Sequence, residues 1–260
     1  LVEMYTKKEY IPGFGDFSYW SSSEDVTDPM NSAWCMIIGE TSLSSKSITY
    51  NARPIRTFGL EDVYDYEGNS YGVVVIGTQV WMAENLRSTY FQNGEWITLT
   101  TDDTEWYSLI AGSPSYCYYD NMIDYLYSLG GLYNFYAAAD SRNICPYGYH
   151  VPTDAEWTTL VTYLGGEGLA GGALKVTGAD YWGEPNIGAT NSTNFNALGA
   201  GMRNGTTGLY DGMLMNTGYW TSTPTDVSSS WLRTLSFNNA AATRTSNDNH
   251  TGASVRCIRD

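Results

Sequence analysis

The clearest apolar spacing in the chain lies in VPTDAEWTTLVTYLGG. Trp157, Leu160, Val161 and Leu164 recur three and four residues apart, so they share one face of a helix. Thr153 and Glu156 are spaced as a capping box before this run, and Gly165 and Gly166 stop it. The pattern predicts a helix over about Asp154 to Leu164. Upstream, YGVVVIGTQVWMAENL breaks at Gly77 and Thr78, which predicts two short strands joined as a hairpin after the turn YEGNS. Near the end, WLRTLSF and SVRCIRD read as strands, separated by Asn238 to Ala253, a stretch of small polar residues with almost nothing to bury. Strands at both ends with a helix between them predict an α+β architecture.

The two ends of the chain share a grammar. FSYWSSSEDVTDPMNSAWCMIIGETSLSSKSITYNARPIRTF near the start parallels TGYWTSTPTDVSSSWLRTLSFNNAAATRTSNDNHTGASVRCIRD at the end. Tyr19 and Trp20 align with Tyr219 and Trp220, Trp34 with Trp231, Cys35 with Leu232, and Arg53 and Arg56 with Arg256 and Arg259. We therefore expect residues 1–59 to be the C-terminal half of a module whose first half is absent from this chain, and residues 60–260 to be a whole module.

Composition narrows the partners. The 260 residues carry a net charge of −15 with only 13 Lys and Arg, which repels phosphate backbones and anionic lipid, so neither nucleic acid nor a membrane surface is an expected partner. No apolar run approaches the ~18 residues of a membrane span. Leu1 is not a start Met, so the chain is expected to be a fragment or a processed form. The 22 Tyr and 9 Trp suit a β-rich core first and a binding surface second. Four cysteines (Cys35, Cys117, Cys145 and Cys257) form no CxxC pair, and His150 and His250 are the two histidines, too few ligands for a zinc site. A disulfide in an exported protein fits at least one cysteine pair, and the spacing leaves open which.

The ordered succession DYEGNSYGVVVIGTQVWMAENL, SYCYYDN, GGLYNFYAA, ICPYGYHVPTDAEWTTL, GGALKVTG, GATNSTNFNALGAGMRNG, GYWTST and SVRCIRD resembles the Fibrobacter succinogenes major paralogous domain across residues 62–260. The resemblance implies a C-type-lectin-like fold, related to the formylglycine-generating enzyme and to variable receptor-binding proteins of phage. It implies a disulfide between Cys145 and Cys257, at the places where such folds tie the last strand to the start of the domain. Cys117 is then expected as a buried free thiol, and Cys35 is expected to face the interior of the half-module. Trp157 and Trp220 read as core pillars. The tripeptide EPN at Glu184 to Asn186 matches the mannose-binding motif of calcium-dependent lectins, but the Trp-Asn-Asp that completes such sites is missing, so no metal site is assigned.

A catalytic reading lacks its parts. No two cysteines are close in sequence, no Ser-His-Asp arrangement can be drawn, and no pair of carboxylates stands out, so neither an enzyme nor a cofactor is expected. The polar stretch supports a binding reading instead. From Trp231 onward, Trp231, Arg233, Leu235, Arg244, Val255, Arg256 and Ile258 form a framework. Leu232, Thr234, Ser236, Phe237, Ala241, Thr243, Thr245, Ser246, Asp248, His250, Thr251 and Ala253 fall between them, and Asn239, Thr225 and Asp226 are further ligand-binding candidates. In some relatives such positions are rewritten by diversity-generating retroelements, which mutate adenines and cannot create Lys, Glu, Gln, Met or Trp from the targeted Asn codons. Leu232 to Ser254 contains none of these residue types. The expectation is an extracellular binding module that recognises a cell-surface protein or glycan. It would be an adhesin in a pilus or surface assembly, or a phage receptor-binding protein; a structural repeat of a larger surface protein and a formylglycine-generating-like catalyst are the alternatives.

Overall fold

The computed structural model describes residues 19–24, 32–37, 40–47 and 62–260, with side chains at 45–47 and 62–260. The chain divides into two compact units, Leu1–Gly59 and Leu60–Asp260. In the first, β1 (Tyr19–Glu24), β2 (Ser32–Ile37) and β3 (Glu40–Ser45) form an antiparallel meander. The orientation of the Cys35 side chain, expected inward, lies outside the described residues.

The second unit opens with the small hairpin β4 (Val63–Tyr64) and β5 (Ser70–Tyr71). The hairpin expected around Gly77 follows as β6 (Val73–Ile76) and β7 (Gln79–Met82), turning where Gly77 takes φ +63°. Next come β8 (Thr98–Leu99), α1 (Asp103–Tyr107), β9 (Ser115–Cys117), α2 (Ile123–Leu129), β10 (Leu132–Tyr133), α3 (Phe135–Ala138) and β11 (Tyr149–His150). The expected helix is α4 (Asp154–Tyr163), and its capping box is formed: Glu156 N donates to Thr153 Oγ1, and Thr153 N donates to the Glu156 carboxylate at 2.7 Å.

A second helix, α5 (Glu167–Leu174), follows at once, although Gly165 and Gly166 read as a stop. They do end α4, but the chain turns there and re-enters helix through EGLAGGAL, whose glycines carry no helical propensity signal. Gly171 and Gly172 have a packing purpose. A Cβ on Gly171 would stand 2.1 Å from Ala241 O, and one on Gly172 2.3 Å from Gly188 O. Only bare backbone lets this helix approach those carbonyls, and Gly172 N donates to Ala240 O at 3.0 Å.

The C-terminal third builds the main sheet from β12 (Ala200–Arg203), β13 (Tyr210–Met213), β14 (Asn216–Pro224), β15 (Ser229–Ser236) and β16 (Ala242–Asp248), in the order β13-β12-β14-β15-β16. The polar stretch therefore contains a strand. Its alternating Thr and Ser residues tolerate pleated backbone well, and they lack the apolar alternation by which a strand is recognised. SVRCIRD, expected as a strand, is largely a buried connector ending in β17 (Ile258–Arg259). Gly252, Ala253 and Ser254 bridge β12, β10 and β14 in turn, and β17 pairs with both β7 and β11.

Two cores result. One lies under α4 and α5, where Trp81 and Trp157 meet at 4.9 Å beside Phe195 and Tyr219. The other lies across the main sheet and holds Phe135, Tyr133, Trp220 and Leu232, together with Cys145 and Cys257, which are joined by a disulfide. Trp157 and Trp220 are both fully buried, and Cys117 is a buried free thiol. The second unit is thus a mixed α+β assembly, mostly of short strands with few helices.

Candidate functional site

Strand pairing decides which residues share a face. β15 pairs with β14 through Tyr219↔Arg233 and Trp220↔Leu232, and with β16 through Trp231↔Ser246, Leu232↔Thr245, Arg233↔Arg244 and Thr234↔Thr243. Residues directly opposite one another point to the same side, so the hairpin has two sides of different character.

The helix-facing side carries Tyr219, Trp231, Arg233, Leu235, Ala242 and Arg244. It is clamped onto the N-terminal turn of α4, where Asp154 accepts from Arg233 at 3.1 Å and from Arg244 at 2.8 Å. The Arg244 guanidinium lies 3.5 Å over the Trp231 ring, and Arg233 also donates to Thr158 Oγ1 at 2.8 Å. Burial pulls the Arg233 pKa down while Asp154 pulls it up, with burial the larger effect. Trp231, Arg233 and Arg244, three framework residues of β15 and β16, thus hold the hairpin to α4.

The opposite side is different. Leu232 and Trp220 fill its inner end, and beyond them stand Thr234, Thr243 and Thr245, half-buried, with Ser236 at the strand end. Three of these four hydroxyls are hydrogen-bonded within the sheet or its turns, and that of Thr243 is not. Thr234 Oγ1 donates to Thr243 O at 3.3 Å, Asn247 Nδ2 donates to Thr245 Oγ1 at 2.9 Å, and Ser236 Oγ reaches Met215 O and Asn238 Oδ1. Next to Thr234, Gly218 is covered by the Met202 side chain, whose sulfur would meet a Cβ there at 2.6 Å. The result is a shallow, uncharged patch of hydroxyl and methyl groups on a regular sheet.

The other candidates do not join it. Leu232 is fully buried and Thr251 is 8% exposed, so neither offers a surface: the first packs against Trp220, and the second begins the buried connector. Phe237 folds against the helix-side core. Ser246 lies on the helix-facing side of the sheet with its hydroxyl 2.9 Å from that of Thr225. The Asp226 carboxylate is spent on its own turn, accepting from Ser228 N, Ser228 Oγ and Ser229 N, and these bonds lower its pKa. Asp248 accepts from His250 N at 2.8 Å, while the His250 ring lies between Asp248 and Leu109 O, with its carbonyl taken by Trp106 Nε1. Asn239 and Ala241 belong to the turn before β16, where Ala241 N donates to Asn239 Oδ1.

That turn is fastened by a residue the sequence reading passed over. Lys175, at the end of α5, is fully buried, and its ammonium donates to Ile187 O, Ser236 O and Asn239 O at 3.0, 2.7 and 2.8 Å. Its three N–H groups are matched by three carbonyls, and burial lowers its pKa to about 8. The signal was present in GGALKVTG, a lone cation among apolar and glycine residues in a chain poor in Lys. Arg203 and Arg256 follow the same rule. Arg203 donates to the carbonyls of Thr100, Thr101 and Gly208 and to Asp103, and Arg256 to those of Met82 and Phe195 and to Asn85.

Among the described residues, no group of three or more His, Cys, Asp and Glu is placed to hold a metal ion. The Asn186 Nδ2 of EPN donates to the carbonyls of Val176 and Gly178, and its Oδ1 is buried without a hydrogen-bond partner. His150 is bonded by Asp260 at 2.7 Å and by the capping Glu156 at 3.0 Å, a clamp between the chain end and α4. Burial pushes the Cys117 thiol up to about 11, far from the thiolate a nucleophile needs. No helix among the described residues is long and apolar enough to cross a membrane.

Neither a curated protein nor a solved structure matches the chain. The family model of the Fibrobacter succinogenes major domain matches residues 74–259, from the β6–β7 hairpin through the hydroxyl patch to β17. The chain belongs to the Fibrobacter succinogenes major domain family.

Proposed function

We propose that this chain is an extracellular ligand-binding module with a C-type-lectin-like fold, and that it recognises a macromolecular partner through the hydroxyl side of the β15–β16 hairpin. One observation carries the reading. The hairpin is fixed on its helix-facing side by Asp154, Arg233, Arg244 and Trp231, and at its turn by Lys175, while its other side presents Thr234, Thr243, Thr245 and Ser236, all half-buried and uncharged. A rigid scaffold displaying interchangeable small side chains suits recognition, because the side chains can change without altering the fold. The patch is made of neighbouring positions on paired strands, so a protein or glycan surface fits it better than a small enclosed ligand.

The C-type-lectin-like assignment is supported by the β6–β7 hairpin joined to the terminal β17, by the two helices packed on one side of the main sheet, and by the Cys145–Cys257 bond. The same bond suits an oxidising, extracellular setting. In the first unit, Trp20 stands opposite Cys35 as Trp220 stands opposite Leu232, which supports reading residues 1–59 as the end of a similar module. A binder rather than a catalyst is favoured by the protonated Cys117 thiol and by the pairing of Cys145 with Cys257.

Arrays of cell-surface proteins and glycans, probed with the parent chain and with a variant carrying Thr234→Ala, Ser236→Ala, Thr243→Ala and Thr245→Ala, test the reading. The expected result is that the parent retains partners which the variant loses, with the melting temperature within a few degrees of the parent's. Equal binding by both chains would refute it.

A further inference from the structure

Away from the hydroxyl patch, two clefts adjoin along Tyr90, Trp96 and Thr98. The first, of about 580 Å³, lies between Trp96, Tyr90, Gly94 and Arg142, and the second, of about 420 Å³, between Trp96, Thr89, Ile97 and Tyr116. Both volumes fall in the ~300–1,000 Å³ range of small-molecule sites. Trp96 is 77% exposed, whereas Trp81, Trp106, Trp157, Trp182 and Trp220 are all fully buried. Trp231 is half-buried, so Trp96 is the exposed tryptophan among those of residues 62–260.

The display is rigid. Tyr90 and Trp96 form an antiparallel bridge, Phe91 N donates to Glu95 O at 2.8 Å, and Ile97 N donates to Thr89 O at 2.8 Å. Gln92 Nε2 grips the carbonyls of Cys145 and Pro146, which fastens the loop beside the disulfide. Glu67 accepts from both the amide and the hydroxyl of Thr89. Arg142 stacks 3.9 Å over Phe91, takes Asp140 through two nitrogens and bonds Glu95 Oε2. These bonds fix the backbone that carries Trp96, while its indole stands exposed.

The chemistry around the ring selects a ligand class. Among the described residues, Trp96 Nε1, Glu95 Oε1 and the Thr98 hydroxyl have no hydrogen-bond partner, so a donor, an acceptor and a group that serves as either flank a flat apolar face. A pyranose ring has the complementary form: C–H groups on one face to lie on the indole, and hydroxyls around its rim that both donate and accept. A net charge of −15, with Glu67 and Glu95 beside the clefts and the Arg142 charge neutralised by two carboxylates, disfavours anionic sugars. A proline-rich peptide also docks on aromatic surfaces, but proline has no N–H to offer Glu95. We infer that the Tyr90–Trp96 loop is a binding site for a neutral, linear glycan, whose chain crosses Trp96 from one cleft to the other. This site is separate from the hydroxyl patch.

The test is a titration of the full chain, 15N-labelled, with cellohexaose, xylohexaose, mannohexaose and laminarihexaose, and with decaproline as the peptide alternative. The indole N–H resonance of Trp96, identified by its loss in Trp96→Phe, is expected to shift with at least one hexasaccharide and not with decaproline. Trp96→Ala is expected to weaken that sugar by at least about tenfold without lowering the melting temperature. Thr243→Arg, on the hydroxyl patch, is expected to leave the titration unchanged, so this site and the patch stand or fall separately. The inference is overturned if no hexasaccharide shifts the resonance at millimolar concentration, if Trp96→Ala binds as the parent does, or if decaproline alone binds.

Discussion

Three carbonyl oxygens converge on the Lys175 ammonium, and two of them, from Ser236 and Asn239, belong to the turn that delivers the chain into β16. A buried cation without a carboxylate partner is costly, and here the backbone supplies the compensation. Lys175→Met keeps most of the side-chain volume and strands three carbonyls, so urea denaturation at pH 7 should show a loss of about 3 kcal/mol. The pH dependence has a definite sign. The folded-state pKa of about 8 lies below the ordinary 10.5, so the unfolded chain holds the proton longer. The cost of burying the charge is therefore full below pH 8 and is relieved between about 8 and 10.5, where the parent should gain stability relative to Lys175→Met. A stability difference that is flat across that window would show that Lys175 does not titrate as its burial requires.

Among the elements, α4 was legible because period, cap and stop agree: Trp157, Leu160 and Val161 are buried, and the Thr153–Glu156 box is formed. α5 was not legible, since its glycines encode a docking distance rather than a helix. That difference can be measured within one helix. Gly168→Ala has open space around it and should stabilise the protein by about 0.5–1 kcal/mol, whereas Gly171→Ala meets Ala241 O and should cost roughly 2–3 kcal/mol in thermal or chemical denaturation. Equal effects would mean that α5 does not seat on the turn. β15 could be read by parity, which placed Thr234 and Ser236 correctly opposite the framework. β16 could not, because its register depends on a turn fixed by Lys175 and α5, both remote in sequence. Hence Thr243 and Thr245 share a face with Thr234, while Ser246 and Asp248, from the same polar run, belong to the other. Leu232 was misplaced for another reason: parity gives the side of the sheet, but only the packing of Trp220 and Phe135 reveals that this end of it is covered.

At the scale of the molecule, a chain rich in Tyr has placed many of these rings in its cores. Tyr71, Tyr133 and Tyr219 are fully buried, and burial is the main cause that raises their pKa above 10. Because the folded values lie above the unfolded one, the neutral rings stabilise the protein fully below pH 10, and that contribution is lost as pH rises further. Tyrosinate absorbance should therefore rise in two stages, exposed rings first, with the second stage coinciding with loss of the near-ultraviolet circular dichroism. A single stage near pH 10 with the native spectrum retained would contradict the burial. The same architecture divides labour between the two sides of the main sheet: one is locked by helices, ion pairs and aromatic rings, and the other ends in an uncharged row of threonines.

The most direct test of that division is the affinity of one partner for two single variants. Thr243→Arg places a long charged side chain on the hydroxyl side, and Ser246→Arg places the same side chain on the helix-facing side of the same strand. Titration of a partner retained by the parent should show at least about a tenfold loss of affinity for Thr243→Arg and little change for Ser246→Arg. Undiminished binding by Thr243→Arg, or an equal loss in both, would contradict the account.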